Sequence, residues 1–371
     1  MILFSFDYPP RDGGIARLSS EIVTAAVAAG VSVEVVTQSS SVDGLAVPAA
    51  PTDRVTPDRP RRELEALTRI PGWRDEVVLS GIWYPEGLIA SLGRPRFHAI
   101  LAHGMELMPS RVSWRRSLWG ALQRRTLTSA QVVVANSRYT AEWVRRTAPD
   151  AVVEVVPLAV DASRFTPDGR DAERTRRGWE GKQVVLTVSR LAGYKAHDTV
   201  LRAIAQLPAA DRTHLRYAIA GRGPAEAALR ALAEELGVAP QVEWLGFVPE
   251  ADLAALYAAS DLFVLVTREL ESEREVEGFG LVFLEAQACG TAVVGARTGG
   301  IPDAVVEGQG GWLMEADDEA ALAAHLRKLV EQPEFVRAEG RRGRERVVRD
   351  CTWEQYWKSL QAVLNRHGAG L

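Results

Sequence analysis

EGFGLVFLEAQACGTAVVGA (277–296) carries a loop, a helix, a stop and a strand in direct succession. Glu277 stands beside a Gly-Phe-Gly turn. LVFLEAQA then supplies helix-forming Leu and Ala with an apolar face, and Gly290 ends it. TAVVGA reads as a buried strand of a sheet covered on both faces. Glu277 is therefore expected in a loop at a helix mouth, and Glu285 about one and a half turns inside the helix. A helix N-terminus offers unpaired N–H groups and partial positive charge, which suits a phosphate. Ionised carboxylates only accept hydrogen bonds, so two of them nearby suit the hydroxyls of a sugar and a ribose. An ordinary buried helix with two solvated glutamates has the same spacing, and the rest of the chain must decide between the two.

Working outward, short β-rich runs alternate with amphipathic helices along the whole chain, the pattern of parallel sheets with helices on both faces. In the first half strands are expected at 2–8, 32–38, 76–81, 99–104, 131–137 and 152–157, with helices over 16–29 and 113–128. The segment 39–72, rich in Pro, Asp and Arg, reads as surface loop with a short helix. PLAVDASRFTPDGRD (157–171) breaks the rhythm. A second series follows, with strands at 183–190, 215–221, 242–248, 262–267, 291–296 and 310–315. The fold class is α/β, with two doubly wound parallel-sheet, Rossmann-like domains, 1–160 and 161–352, whose strand ends would face a central cleft. A last helical stretch, 353–371, would return to the first domain.

The 371 residues suit two domains better than one core. A hydrophobic content of 47% and a charged content of 25% are those of a soluble globular protein. The net charge of −4 gives no general attraction to nucleic acid. MILFSFDYPP has neither a charged start nor a cleavage site and reads as a first strand. Cys289 and Cys351 fit free thiols in a reducing cytosol, so a cytoplasmic location is expected. The six His show no metal-ligand spacing and no D-x-D triplet occurs, so neither a metal nor a cofactor is expected.

Other loops add chemistry. Gly13 and Gly14 in DYPPRDGGIARL (7–18) would let a bulky ligand approach the amides at the next helix mouth, or simply make a βα turn. In SRLAGYK (189–195), Arg190 and Lys195 sit where the second sheet's ligand edge should be and could stabilise a diphosphate leaving group. AGRGP (220–224) carries G-x-G but Glu226 where a third glycine would complete a dinucleotide fingerprint, so it reads as a tight turn. His103, at the end of a strand, could reach a sugar or acceptor hydroxyl, or cap the sheet. SWRRSLWGALQRRTL (113–127) could touch a membrane surface weakly, or pack on its sheet with its arginines in water.

Taken together, these segments resemble the family-four retaining glycosyltransferases of the GT-B fold. The resemblance runs through DGGIARL, AHGMEL, ANSRYTAEWV and VPLAVDASRF in the first half. It continues through VSRLAGYK, AGRGP, VEWLGFV, the EGFGLVFLEAQACGTAVVGA run and GGIPD. The form REVEGFGLVFLEA is similar to actinobacterial mannosyltransferases acting on phosphatidylinositol mannosides.

The resemblance implies a metal-independent transfer of a hexose from a nucleotide-diphosphate sugar to a hydroxyl of a lipid, saccharide or natural-product acceptor, with retained configuration. GDP-mannose, UDP-glucose and UDP-N-acetylglucosamine all fit as donors. Arg190 and Lys195 would hold the diphosphate, with Tyr194 beside them and Gly14 packed on the donor. Glu277 would bind the transferred sugar and Glu285 the ribose. Gly278 and the amides of Phe279, Gly280 and Leu281 would complete these contacts. Backbone at Phe247 and Val248 would meet the base, and His103 the sugar near its reacting face. The enzyme would be cytoplasmic, or peripheral at the inner membrane face.

Ala196 stands where relatives usually carry Gly, and ELESEREV (269–276) is a charged insert before Glu277. Other functions are compatible with such a fold. A phosphorylase needs a pyridoxal phosphate lysine, and of Lys182, Lys195, Lys328 and Lys358 only Lys195 lies at a plausible site. A sugar-nucleotide epimerase of GT-B-like fold stays open, as does a non-catalytic nucleotide-sugar-binding subunit.

Overall fold

The computed structural model describes the chain except Asp12 and residues 40–49, 109–112 and 271–274, together with the side chains of 113–116. Two compact units divide it: residues 1–157 with 353–371, and residues 158–352.

In the first unit the strands are β1 (Ile2–Phe4), β2 (Glu34–Gln38), β3 (Thr52–Val55), β4 (Val77–Ser80), β5 (Phe97–Ala102), β6 (Val132–Ala135) and β7 (Val153–Val155). They form one parallel sheet in the order β3-β2-β1-β4-β5-β6-β7. Phe4, Val36, Val78 and Ile89 pack on one apolar cluster, and Trp83, Ile100, Leu127, Val133 and Val144 on another. One expectation fails here. The segment 39–72, read as loop with a short helix, contributes an edge strand, β3, as well as the helix Arg61–Arg69. TDRV buries only Val55, so the alternation that betrays a strand is missing. The helix Ser113–Ser129 is present, with Leu118 outward and Trp119 against Trp83 and Tyr84. The expected membrane contact falls partly outside the described side chains. The last helix, Trp353–Arg366, packs against Gly14–Ala28, and Arg366 and His367 both meet Glu154.

In the second unit the strands are β8 (Gln183–Val188), β9 (Leu215–Ala220), β10 (Val242–Gly246), β11 (Leu262–Leu265), β12 (Ala292–Ala296) and β13 (Gly311–Met314). Their order is β10-β9-β8-β11-β12-β13, again all parallel. The core joins Val185, Leu201, Ile204, Tyr217, Leu262, Val294 and Leu326. In each sheet the chain runs outward from its first strand, then returns to that strand's other side. That reversal lies between β1 and β4 and between β8 and β11, and open α/β sheets bind ligands beyond the carboxyl ends at such a point. Among the described residues no helix is long and apolar enough to cross a membrane.

Candidate active site

The two strands flanking the second reversal deliver the charged residues. Beyond β8 come Ser189 and Arg190, then a single turn over Gly193–Lys195. Two glycines of AGRGP fix this loop. A Cβ on Gly221 would stand 1.8 Å from the Ser189 carbonyl oxygen, and one on Gly223 2.2 Å from that of Leu191. Ser189 N–H donates to Ala220 O, Leu191 N–H to Arg222 O, and Ala225 N–H to Leu191 O. The G-x-G thus serves close backbone packing, as the tight-turn reading expects. Ala196 follows at φ 53°, a left-handed conformation that costs an L-residue roughly 1 kcal/mol and that glycine would adopt without that cost.

Beyond β11 the chain reaches Arg268 and then Glu277. Lys195 Nζ lies 2.6 Å from Glu277 Oε2, with side-chain exposures of 11% and 18%. The ammonium also stands 4.8 Å from the centre of the Tyr194 ring. Burial alone would lower the Lys195 pKa, but Glu277 and Tyr194 outweigh it and the lysine titrates above its ordinary range. Arg190, 59% exposed, places one nitrogen 3.1 Å from Glu275 Oε1.

Arg268 ties the two loops together. Its N–H donates to Tyr194 O at 2.8 Å, and its guanidinium meets both oxygens of Asp198 at 3.0 Å and one of Asp317 at 2.6 Å. His197 is fully enclosed, with Nε2 3.0 Å from Ser189 Oγ and Nδ1 3.0 Å from Tyr217 OH. Burial, helped by the Lys195 charge, pushes its pKa down to about 4 and keeps the ring neutral.

Gly280, at φ 92°, opens the helix Leu281–Ala288, so the amides expected to meet a phosphate do stand at a helix mouth. The Phe279 side chain is buried, which leaves its backbone for any contact. Leu281 is half-buried at the first helical position. Glu285 is only 5% exposed, and its Oε2 accepts the Tyr257 hydroxyl at 2.9 Å. Gly299 and Gly300 press on the Glu277 loop from β12: Gly300 N–H donates to Glu277 O at 2.9 Å, and its Cβ would stand 2.0 Å from Gly278 O. Phe247, 68% exposed, and half-buried Val248 follow β10 beside the AGRGP turn, where Gly246 O accepts Gly221 N–H. Of the expected site residues, the second unit thus brings together Arg190, Tyr194, Lys195, Glu277, Gly278 and Phe279.

Gly13, Gly14 and His103 lie in the first unit. Gly13, at φ 148°, and Gly14 open the helix Gly14–Ala28, and among the described residues no atom beyond their chain neighbours and the helix backbone lies within 4 Å of a Cβ added to either. His103 follows β5. Its Nε2 lies 2.8 Å from Gly81 O, an acceptor only, so that nitrogen donates the hydrogen bond. Its backbone N–H donates to Glu106 Oε1 at 2.6 Å.

Sequence reading gives no sign of a further cluster beside β1. Glu86 Oε1 accepts Phe6 N–H at 3.0 Å, Gln38 Nε2 donates to Phe6 O at 2.9 Å, and Arg62 covers the Phe6 ring at 4.2 Å. Burial raises the Glu86 pKa to about 7. Arg268, Asp198, Asp317 and His197 went equally unnoticed, and only the polar residue types at strand ends could have signalled them. Among the described residues no three His, Cys, Asp or Glu side chains gather as a metal site.

Comparison with known proteins bears on the whole length. The family described as Glycosyltransferase Family 4 matches residues 12–164, and Glycosyl transferases group 1 matches residues 169–346. The chain is 31% identical to the GDP-mannose-dependent alpha-(1-6)-phosphatidylinositol monomannoside mannosyltransferase of Mycolicibacterium smegmatis, across 98% of each chain. In fold it is similar to Anabaena HepE in complex with UDP, with a TM-score of 0.78 at 20% identity, covering 98% of this chain and 99% of that one. The sucrose-phosphate synthase of Thermosynechococcus elongatus gives a TM-score of 0.77 at 21% identity, covering 100% and 99%. Two parallel sheets of GT-B type, both family matches and a full-length relative agree: the chain belongs to the family-four glycosyltransferases of the GT-B fold, enzymes that transfer a sugar from a nucleotide-sugar donor.

Proposed function

We propose that this enzyme is a retaining, metal-independent hexosyltransferase that uses GDP-mannose in preference to UDP-glucose or UDP-N-acetylglucosamine. Its acceptor would be a hydroxyl of an inositol-containing glycolipid. The observation that carries the reading is the Lys195–Glu277 pair, set with Arg190 at the reversal of the sheet. As the glycosidic bond breaks, negative charge gathers on the diphosphate. A cation 4 Å away contributes on the order of 4 kcal/mol at an effective dielectric near 20, before desolvation. Lys195 acts there as a point charge, and Arg190 can fork over two oxygens. These two side chains and the helix mouth at Leu281 supply the positive charge that a metal supplies in other transferases. Glu277 positions the sugar and Glu285 the ribose, as acceptor-only carboxylates.

Retention follows if the acceptor hydroxyl attacks the anomeric carbon from the face the leaving group departs. Its proton then passes to the leaving phosphate oxygen as the new glycosidic bond forms and the old one breaks. The donor and acceptor preferences rest on the mannosyltransferase relative, which is named for its dependence on GDP-mannose and for phosphatidylinositol monomannoside. Such an acceptor would bring the enzyme to a membrane face peripherally.

The test screens GDP, UDP and their hexose conjugates by thermal shift, then measures transfer to an inositol-lipid acceptor in the presence of a chelator. Lys195→Ala and Glu277→Ala are expected to lose nearly all transfer while staying folded. Full activity in either variant would sink the assignment. An inverted product, or loss of activity with chelator, would overturn retention or metal independence separately. Donor incubated alone distinguishes epimerisation.

A further inference from the structure

Glu275 lies outside the motif that defines the donor site, yet it holds one of that site's two cations. Its side chain is about a quarter exposed, and its Oε1 is 3.1 Å from an Arg190 nitrogen. Backbone bonds fix it in place: Leu270 N–H donates to Glu275 O, and Glu275 N–H to Leu270 O. From there the chain alternates. Val276 turns inward, 3% exposed, with a methyl that would lie 2.8 Å from a Cβ on Gly299. Glu275 and Glu277 flank it in the chain, two residues apart and both partly exposed. Each meets one cation of the β8 loop: Glu275 takes Arg190 and Glu277 takes Lys195.

Together the four side chains sum to no net charge. The described ions around them add no free cation, because Arg268 is engaged by both Asp198 and Asp317, and Glu269 keeps its negative charge while accepting the Gly299 N–H. A nucleoside diphosphate carrying at least two negative charges therefore meets a loop with no surplus of positive charge, and it must share Arg190 with Glu275.

We infer that Glu275 competes with the diphosphate for Arg190 and thereby sets how tightly the nucleoside diphosphate product is held. The inference rests on the nucleotide-sugar reading above. Glu275 is a positioning residue for Arg190, with no part in bond making. By weakening the hold on the product it shortens the time the product stays after transfer.

The experiment is calorimetric titration of GDP and UDP into the wild type, Glu275→Gln, Glu275→Asp, Arg190→Ala and the double variant Arg190→Ala/Glu275→Gln. Glu275→Gln should bind the diphosphate about five-fold tighter, the counterpart of roughly 1 kcal/mol for an exposed ion pair. The gain should shrink with added salt and vanish on the Arg190→Ala background. Glu275→Asp, which keeps the charge, should return to wild-type affinity. In turnover, Glu275→Gln should lower KM for donor and lower kcat together, as slower product release requires. Unchanged or weaker binding in Glu275→Gln overturns the inference, as does a gain that persists without Arg190. Failure of the wild type to bind either nucleotide would instead overturn the donor reading on which it rests.

Discussion

Gly300→Ala isolates the part of the site that holds Glu277. Gly300 has ordinary backbone angles, φ −90° and ψ 1°, so alanine there brings no conformational strain of its own. The added Cβ, however, would stand 2.0 Å from Gly278 O, 2.6 Å from Gly278 C and 2.9 Å from Phe279 Cα. Real Cβ contacts essentially never fall under 3.0 Å, so the two segments must part by about 1 Å. Gly300 leads directly into fully buried Ile301, while Glu277 and Gly278 are half-buried, so the Glu277 side should yield. That motion stretches the 2.9 Å bond from Gly300 N–H to Glu277 O and carries the carboxylate away from Lys195.

A misplacement of about 1 Å at reacting groups can cost roughly 100-fold in rate. Overpacking costs about 1–3 kcal/mol, which a domain of ordinary stability survives. Gly300→Ala is thus expected to fold, with a Tm lowered by several degrees, and to lose on the order of 100-fold in kcat/KM for the donor. The assay pairs transfer kinetics with a denaturation curve on the same preparation. Wild-type kcat/KM in a folded Gly300→Ala protein would refute the reasoning. So would a loss of activity no larger than the unfolded fraction.

Gly14→Ala is the opposite case, since among the described residues no non-neighbouring atom lies within 4 Å of its Cβ: stability should hold or rise by up to about 1 kcal/mol while the donor KM increases, and an unchanged KM would remove Gly14 from the proposed donor site. The pH dependence of stability should expose Glu86. Burial raises its folded-state pKa from 4.5 to about 7, so its contribution is fully present below 4.5 and is lost as the pH rises to about 7. His98 and His197, both depressed by burial from 6.5 to about 4, act the other way and cost stability as the pH falls from 6.5 to 4. Urea unfolding of Glu86→Gln should therefore show stability rising more steeply between pH 4.5 and 6.5 than in the wild type, and coincident profiles would show that Glu86 is not buried with a raised pKa.

Much of the architecture is legible because parallel strands are buried on both faces and read as continuous apolar runs. VVVA, QVVLTV and LFVL announce themselves, whereas TDRV of β3, an edge strand with one buried residue, does not. The ends of strands are legible for a different reason: SRLAGYK and EGFG place charged residues and glycines where a ligand edge must be. What stays hidden is pairing. Arg268 meets Asp198 and Asp317, 70 and 49 residues away, and no local pattern marks such partners. The glycines show the same limit. G-x-G at 221–223 is visible as a motif, yet the reason for it is the carbonyl groups of Ser189 and Leu191 on another loop.

The contrast between Glu275 and Glu277 sharpens this. They are the same side chain, two residues apart, and the chain offers nothing local to rank them. The resemblance to known transferases singles out Glu277 alone. Partners separate the two: a largely buried lysine, whose pairing with Glu277 resists salt, and an exposed arginine, which an incoming diphosphate can take from Glu275. On the proposed reading, a carboxylate that keeps its cation positions the donor, whereas one that yields its cation tunes how the product leaves. Residue type and order determine where charge gathers in this fold. Burial of the partner determines which of two identical charges stays paired through the reaction.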